Sequence, residues 1–240
     1  MKTVTIILTN YNYGKYLSDC LDSVKDQSYP IHELIFIDDA STDDSIKVLS
    51  TWISINRPNF LVKLLFQSKN TGKNGVLNLA AREITGEYVS IVDTDDVLLP
   101  DFIEKHLSEI EIHNVDFSYS NNILIDETNL ELSIGRSCSF DKELINTKSY
   151  IPDNALTKRA ALNYSFPLDE KVKAGTKHHK WKKILSEGAI GIHIDEPLFK
   201  YRMHSKNLSG IGGRIVTDIG RNKNLEPMLS GYWPLESESA

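Results

Sequence analysis

The stretch "EYVSIVDTDDVLLPD" (87–101) runs an apolar segment, Tyr88 to Val92, straight into three carboxylates in four positions: Asp93, Asp95 and Asp96. Carboxylates this close repel one another and are costly to bury. The pattern reads as a strand buried in a sheet, with an acidic carboxyl end that awaits a positive partner.

The flanking sequence supplies the rest of that sheet. "VTIILT" (4–9), "ELIFID" (33–38) and "VKLLFQ" (62–67) read as strands, followed by "YVSIVD" (88–93) and "FSYSN" (117–121). Between them, 16–27 places Leu17, Cys20, Leu21 and Val24 on one helical face. Helices are also expected over 75–84 and 101–113, and from Ser41, where Asp44 three residues on gives a capping-box-like start. Strands spaced by helices predict βαβ units: an α/β fold with a Rossmann-like, mostly parallel sheet between helix layers. From about Asn122 the rhythm breaks. Two short strands around a turn (122–135), helices near 155–164 and 177–187, and short strands near 190–194 and 198–202 predict a smaller mixed α+β region. The tail from Gly210 has weak periodicity.

Bulk properties narrow the function. The 240 residues suffice for one sizeable domain or a domain with a smaller lobe. A net charge of -6 argues against a general nucleic-acid binder. Two cysteines, Cys20 and Cys138, make no disulfide scaffold and favour a cytoplasmic protein. No apolar run approaches the roughly 18 residues of a membrane span. No signal peptide is expected, since the first strand begins at Val4; peripheral contact with the inner face of a membrane stays open.

Open parallel sheets bind ligands outside the carboxyl ends of their strands. Here those ends read "TNYN" (9–12), "DDAST" (38–42), "SKNTGKNG" (68–75) and "DTDD" (93–96). Neither G-x-G-x-x-G after the first strand nor G-x-x-x-x-G-K-[ST] occurs, which disfavours dinucleotide and P-loop sites. Mg²⁺ takes one or two carboxylates plus substrate phosphates, a task that suits "DTDD"; the alternative is a solvated helix-capping loop. Asp39 can accept the ring N–H of uracil, thymine or guanine, or serve as a helix cap.

These stretches resemble the family 2 glycosyltransferases of the GT-A fold. "VTIILTNYNYGKYLSDCLDSVKDQSYPIHELIFIDDASTDDS" is similar to their amino-terminal signature, and "NTGKNGVLNLAAREITGEYVSIVDTDDVLLPD" to a second block. "FPLDEKVKAGTKHHKW" and "IDEPLFKYRMHSKNLS" resemble the blocks that close the acceptor side, so the resemblance covers roughly residues 3 to 209. It implies a nucleotide-sugar-binding half (1–121), an acceptor-side half (122–210) and a tail (211–240). It also implies that Thr9 and Tyr11 line a nucleotide pocket, that Asp39 binds the base, and that Lys73 helps hold base or phosphate. Asp93, Asp95 and Asp96 would hold ribose and a Mn²⁺ or Mg²⁺ ion, with Asp95 the first metal ligand and Asp96 and His204 beside it. Arg202 would reach the diphosphate. The implied reaction is metal-dependent, inverting transfer from a nucleotide-diphosphate sugar, UDP-sugar first, to an acceptor hydroxyl. Glycan, lipid-linked and protein-linked acceptors are all open, with polysaccharide synthesis the expected setting.

One block departs from the pattern. Where relatives carry an acidic base in G-E-D-x-[DE]-x-W, this chain has "GTKHHKW" (175–181), so Lys177 occupies the aligned base position. A lysine accepts a proton only if its pKa is greatly lowered. His179, His178, Asp169 and Glu170 are the alternative bases, His179 on the ground that a neutral imidazole is an adequate base near pH 7. Leu77 stands where many relatives have arginine. The altered block keeps alive a different class of function, a nucleotide-sugar-binding module with weakened catalysis. A sugar nucleotidyltransferase is disfavoured, because "TNYNYGKY" is a poor match to the glycine-rich basic loop such enzymes need.

Overall fold

The computed structural model describes residues 1–207; the expected tail lies outside the described residues. The sheet is built outward from its most apolar strand. β1 (Val4–Asn10) is buried along its whole length. It lies between β2 (Glu33–Asp38) and β4 (Tyr88–Asp93), parallel to both, and β3 (Leu61–Phe66) extends the parallel sheet beyond β2. On the other side, β8 (Leu156–Lys158) runs antiparallel between β4 and β6 (Phe117–Ile125). β9 (Gly191–Arg202) follows parallel to β6, then the two-residue β5 (Val97–Leu98). β7 (Glu131–Gly135) forms a hairpin with the far part of β6.

Alternation along the strands sorts side chains into two cores. Val4, Ile6 and Leu8 of β1 face α1 (Gly14–Lys25), α2 (Ser45–Asn56) and α4 (Phe102–His113). Ile7, with Ile35, Ile37, Val89 and Ile91, faces α3 (Lys73–Ala80), α5 (Arg159–Asn163) and α6 (Thr176–Ser186). Each such aliphatic side chain contributes about 1.5–3 kcal/mol when fully buried. No helix among the described residues is long and apolar enough to cross a membrane.

Four expectations are corrected. Helix α2 starts at Ser45, not Ser41. Ala40 adopts φ +64°, and the Ser41 hydroxyl is committed to Asp38 (2.6 Å) and accepts from the Asn12 N–H (2.9 Å). Asp43 ties the helix starts instead, accepting from Gly14 N–H (2.9 Å) and Ser45 N–H (3.0 Å). The two starts lie so close that a Cβ on Gly14 would sit 2.9 Å from the Ser45 nitrogen. The segment near 155–164 opens with β8 before turning helical. The strands at 190–194 and 198–202 are one bulged strand: pairing with β6 jumps from Ile194 to Pro197 to Phe199, so Asp195, Glu196 and Leu198 are passed over without breaking the strand. Finally, the helix expected over 75–84 begins at Lys73 and tightens into a 3₁₀ turn at Ala81–Glu83.

Glu33 shows how the sheet tolerates charge. Its buried carboxylate accepts from Thr5 Oγ1 (2.6 Å) and Thr85 N–H (2.7 Å) and pairs with Lys63 (2.9 Å). Burial alone would raise its pKa, but these partners outweigh it and hold the carboxyl at about 2. A depressed folded-state value means the stabilisation is present in full above the ordinary value near 4.5 and is lost as pH falls toward about 2. Glu33→Gln is therefore predicted to lower the unfolding free energy at pH 7 by about 2–3 kcal/mol. In denaturant titrations that gap should narrow as the pH falls through this window; a pH-independent gap would contradict the assignment.

Candidate active site at the strand ends

The register of β1 brings two polar pairs to the carboxyl edge. Asn10 lies opposite Asp38 and Thr9 opposite Asp93. Asn10 donates from Nδ2 to Asp38 (2.7 Å), and Thr9 Oγ1 donates to Asp93 (2.8 Å). Thr94 donates its hydroxyl to the Thr9 carbonyl (2.6 Å), fixing the turn into Asp95 and Asp96.

Asp39 is buried and pins the loop after β3. One oxygen accepts from Thr71 N–H (2.7 Å) and Oγ1 (3.1 Å), and the other from Gly72 N–H (2.8 Å). Gly72 sits at φ +80°, which only glycine adopts freely. A carboxylate has about four acceptor positions, so Asp39 keeps one open. Tyr11 is exposed beside this edge.

Behind Asp93 lies a buried ion cluster. Lys73 Nζ bridges both Asp93 oxygens and one oxygen of Asp153, each at 2.6 Å. Lys180, from the inner face of α6, holds the other Asp153 oxygen at 2.7 Å. Burial alone would raise the Asp153 carboxyl, but Lys180 and then Lys73 hold it far below the usual carboxylate range. Burial likewise opposes the Lys73 charge, but Asp153 and Asp93 outweigh it and the ammonium is retained. Asp153 and Lys180 were absent from the sequence-based set. A signal existed for Lys180, which shares the buried helical stripe of Trp181, Ile184 and Leu185. A lysine there needs a buried anion.

The other acidic pair faces the carboxyl-terminal strand. His204 Nε2 lies 3.0 Å from Asp95 Oδ2, and the Lys206 N–H donates to Nδ1 (3.1 Å). With Nδ1 accepting, the neutral ring carries its proton on Nε2 and donates to Asp95. Asn207 donates to the same Asp95 oxygen at 3.4 Å, and the imidazole stacks on Tyr16 at 5.2 Å. Asp96 accepts from the Arg202 N–H (3.2 Å); burial, then Asp95 and Asp93, push its carboxyl well above the usual range.

Arg202 is buried, and each of its three side-chain nitrogens is engaged. Nε reaches the Asp95 carbonyl (2.9 Å), one terminal nitrogen the Asp126 carbonyl (3.2 Å) and the other Asp19 (3.4 Å), over the Tyr16 ring at 4.6 Å. In this arrangement it holds the backbone of the acidic turn.

Among the described residues no three His, Cys, Asp or Glu side chains are grouped to hold a metal. Asp95 and His204 adjoin each other, while Asp96 turns to the Arg202 amide. Asp95 Oδ1 makes no hydrogen bond among the described residues, so it offers a hard oxygen donor. This suits an ion that takes one or two carboxylate oxygens and fills its shell with phosphate and water. It does not suit an all-protein cage, and coordination by His204 Nε2 would require giving up the Lys206 amide bond.

The candidate bases separate by helix face. Lys177 and Lys180, three residues apart, lie toward Asp153. His179 instead lines a different cavity of about 470 Å³ with Lys142, Glu143, Lys182 and Lys183. Asp169 and Glu170 lie on an exposed loop, where the Asp169 carbonyl accepts from Asn74 (2.8 Å) and the Glu170 carboxylate from Asn78 (3.1 Å).

Comparisons place this geometry among known proteins. The chain is 29% identical over 227 residues to an uncharacterized glycosyltransferase of Nostoc sp., covering 85% of this chain and 66% of that protein. It is 27% identical over 210 residues to the putative teichuronic acid biosynthesis glycosyltransferase TuaG of Bacillus subtilis (86% and 81% covered). Identity is also 27% over 210 residues to the UDP-Glc:alpha-D-GlcNAc-diphosphoundecaprenol beta-1,3-glucosyltransferase WfgD of Escherichia coli (86% and 79%). Two solved structures share the fold. S. aureus TarS 1–349 in complex with UDP gives a TM-score of 0.68 at 18% identity, covering 87% of this chain and 63% of that one. The mannosyltransferase PcManGT from Pyrobaculum calidifontis, in complex with GDP-Man and Mn²⁺, gives 0.67 at 20% identity (95% and 68%). The chain thus spans 66% of the Nostoc protein and 63% of that TarS chain. Residues 5–166, more than half of the 240, match Glycosyl transferase family 2. The chain belongs to glycosyl transferase family 2 and has the GT-A fold.

Proposed function

We propose that the chain is a glycosyltransferase of glycan synthesis that moves a sugar from a nucleotide-diphosphate donor to an acceptor oxygen, with inversion. The observation that carries this reading is the convergence of Thr9, Asp39, Lys73, Asp93 and Asp95 on one sheet edge, with acceptor positions still open on Asp39 and Asp95. UDP-sugar is the first donor. Asp39 suits a base with a ring N–H, WfgD is named for UDP-Glc, and TarS was solved with UDP.

Each group has a task in that reading. Asp39 receives the ring N–H and orders the 71–72 loop around the base. Lys73, anchored between Asp93 and Asp153, sets a fixed positive charge at the edge that the donor phosphates approach. Asp95 would hold a Mn²⁺ or Mg²⁺ ion, which when bound supplies Lewis-acid neutralisation of the leaving diphosphate. Arg202, His204 and Asn207 position Asp95. The acceptor hydroxyl attacks the anomeric carbon from the face opposite the diphosphate, the bond to the diphosphate breaks as the new one forms, and the hydroxyl proton passes to a base at the site or to water. Family membership does not favour the non-catalytic alternative.

Two measurements follow. Calorimetric titration with UDP, dTDP and GDP, with and without Mn²⁺, should show one nucleotide binding more tightly with metal. Asp95→Ala should weaken that binding by about tenfold or more. Metal-independent binding unchanged in Asp95→Ala would remove Asp95 from the donor site. In the second, Asp39→Asn replaces an acceptor oxygen by a donor, so the preference for UDP over CDP should fall by about tenfold. Loss of the Gly72 contact affects both nucleotides alike, so the ratio isolates base recognition; an unchanged ratio would place the base elsewhere.

A further inference from the structure

A chain of alternating charge runs from α6 to the carboxyl edge of the sheet. Lys180, on the buried face of α6, donates to one oxygen of Asp153 at 2.7 Å. The other Asp153 oxygen accepts from Lys73 Nζ at 2.6 Å, and the same ammonium reaches both oxygens of Asp93, each at 2.6 Å. Thr9 closes the chain by donating its hydroxyl to Asp93 at 2.8 Å. Asp153 and Lys180 come after Asn122, where the βαβ rhythm breaks, and Lys73, Asp93 and Thr9 come before it. Only the Asp93 end reaches the open edge: its side chain is 35% exposed, against 2%, 12% and 9% for Lys180, Asp153 and Lys73.

Stability alone gives no reason for the inner pair. A buried ion pair is often no more stabilising than apolar side chains of similar volume, because desolvation offsets the attraction. Lys180 shares its buried stripe with Trp181, Ile184 and Leu185, a setting in which an apolar side chain would pack. What an apolar pair cannot do is hold an ammonium at one point. A lysine carries its three donors on a flexible four-carbon stem. With Asp93 as its sole partner, Lys73 would be free to meet that carboxylate from its exposed side. Asp153 draws the ammonium inward, and Lys180 claims the Asp153 oxygen that Lys73 leaves. Lys73 is therefore fixed between carboxylates from two separate elements, β4 and the segment before β8.

We propose that Asp153, held by Lys180, is a positioning residue of the transfer reaction: it fixes the Lys73 ammonium where the donor diphosphate meets it. The inference rests on the donor site proposed above. It gives the part of the chain beyond Asn122 a share in donor binding, exerted through Lys73 and without contact to the nucleotide.

The test separates position from charge. The double variant D153L/K180M removes one negative and one positive charge together, so the net charge of the cluster and its long-range pull on a diphosphate are unchanged. Uridine carries base and ribose without phosphates, so the ratio of UDP to uridine affinity isolates the diphosphate from a general disturbance of the pocket. The full chain in Mn²⁺ is titrated calorimetrically with both, as wild type, K73Q and D153L/K180M, with melting transitions as the check on folding. K73Q should lower the ratio by about tenfold or more, because a charged donor is lost. D153L/K180M should melt cooperatively and lower the ratio by about fivefold or more, with Lys73 intact but unpinned. A ratio within about twofold of wild type in D153L/K180M, where K73Q lowers it, would overturn the proposal and leave the donor site standing. An unchanged ratio in K73Q would also overturn it, by showing that Lys73 does not meet the diphosphate. Failure of UDP to bind wild type would instead overturn the donor site, and the proposal with it. If D153L/K180M does not melt cooperatively, D153A/K180M is read by the same criteria.

Discussion

Everything at the candidate site depends on the parallel registration of β1 between β2 and β4. That pairing sets Thr9 against Asp93 and Asn10 against Asp38, so that three strands end together. A slip of one residue would turn Ile7 toward α1 and move Thr9 to the opposite face of the sheet, away from Asp93. The register is held by apolar side chains on both faces, Val4, Ile6 and Leu8 on one and Ile7 on the other, and those residues have no chemical role. The sheet thus supplies the precision and its edge the chemistry.

At that edge the main physical problem is negative charge. Asp95 and Asp96 are buried, Asp153 nearly so, and Asp93 lies part-exposed beside them. The fold answers with a different device for each. Lys73 and Lys180 neutralise Asp93 and Asp153, the backbone amide of Arg202 meets Asp96, and His204 with Asn207 meets one oxygen of Asp95. The remaining oxygen of Asp95 makes no hydrogen bond among the described residues and is left at the open edge.

The parts legible in the sequence were those whose physics is local. β1, β2 and β4 are largely apolar runs, β2 and β4 ending in Asp38 and Asp93, and α1 repeats Leu17, Cys20, Leu21 and Val24 at helical spacing. "DTDD" and "DDAST" marked the edge before any coordinates. What escaped depends on partners distant in the chain. β8 is three residues long and is a strand only because β4 and β6 flank it. Asp153 is 80 residues from Lys73, so neither sequence neighbourhood reveals the ion pair. Ser41 has the local signature of a helix cap, but Asp38 and Asn10 draw its hydroxyl into the strand-end network. The motif around Arg202 showed neither its burial over Tyr16 nor its bond to the Asp95 carbonyl.

The most direct measurement of the central claim is a crystal structure of the chain with UDP and Mn²⁺ bound. The account predicts the diphosphate at the carboxyl edge of β1 and β4, the metal on the open oxygen of Asp95, and the uracil ring N–H on Asp39. A nucleotide ordered elsewhere on the molecule, or at this edge without contact to Asp39 or Asp95, would contradict it.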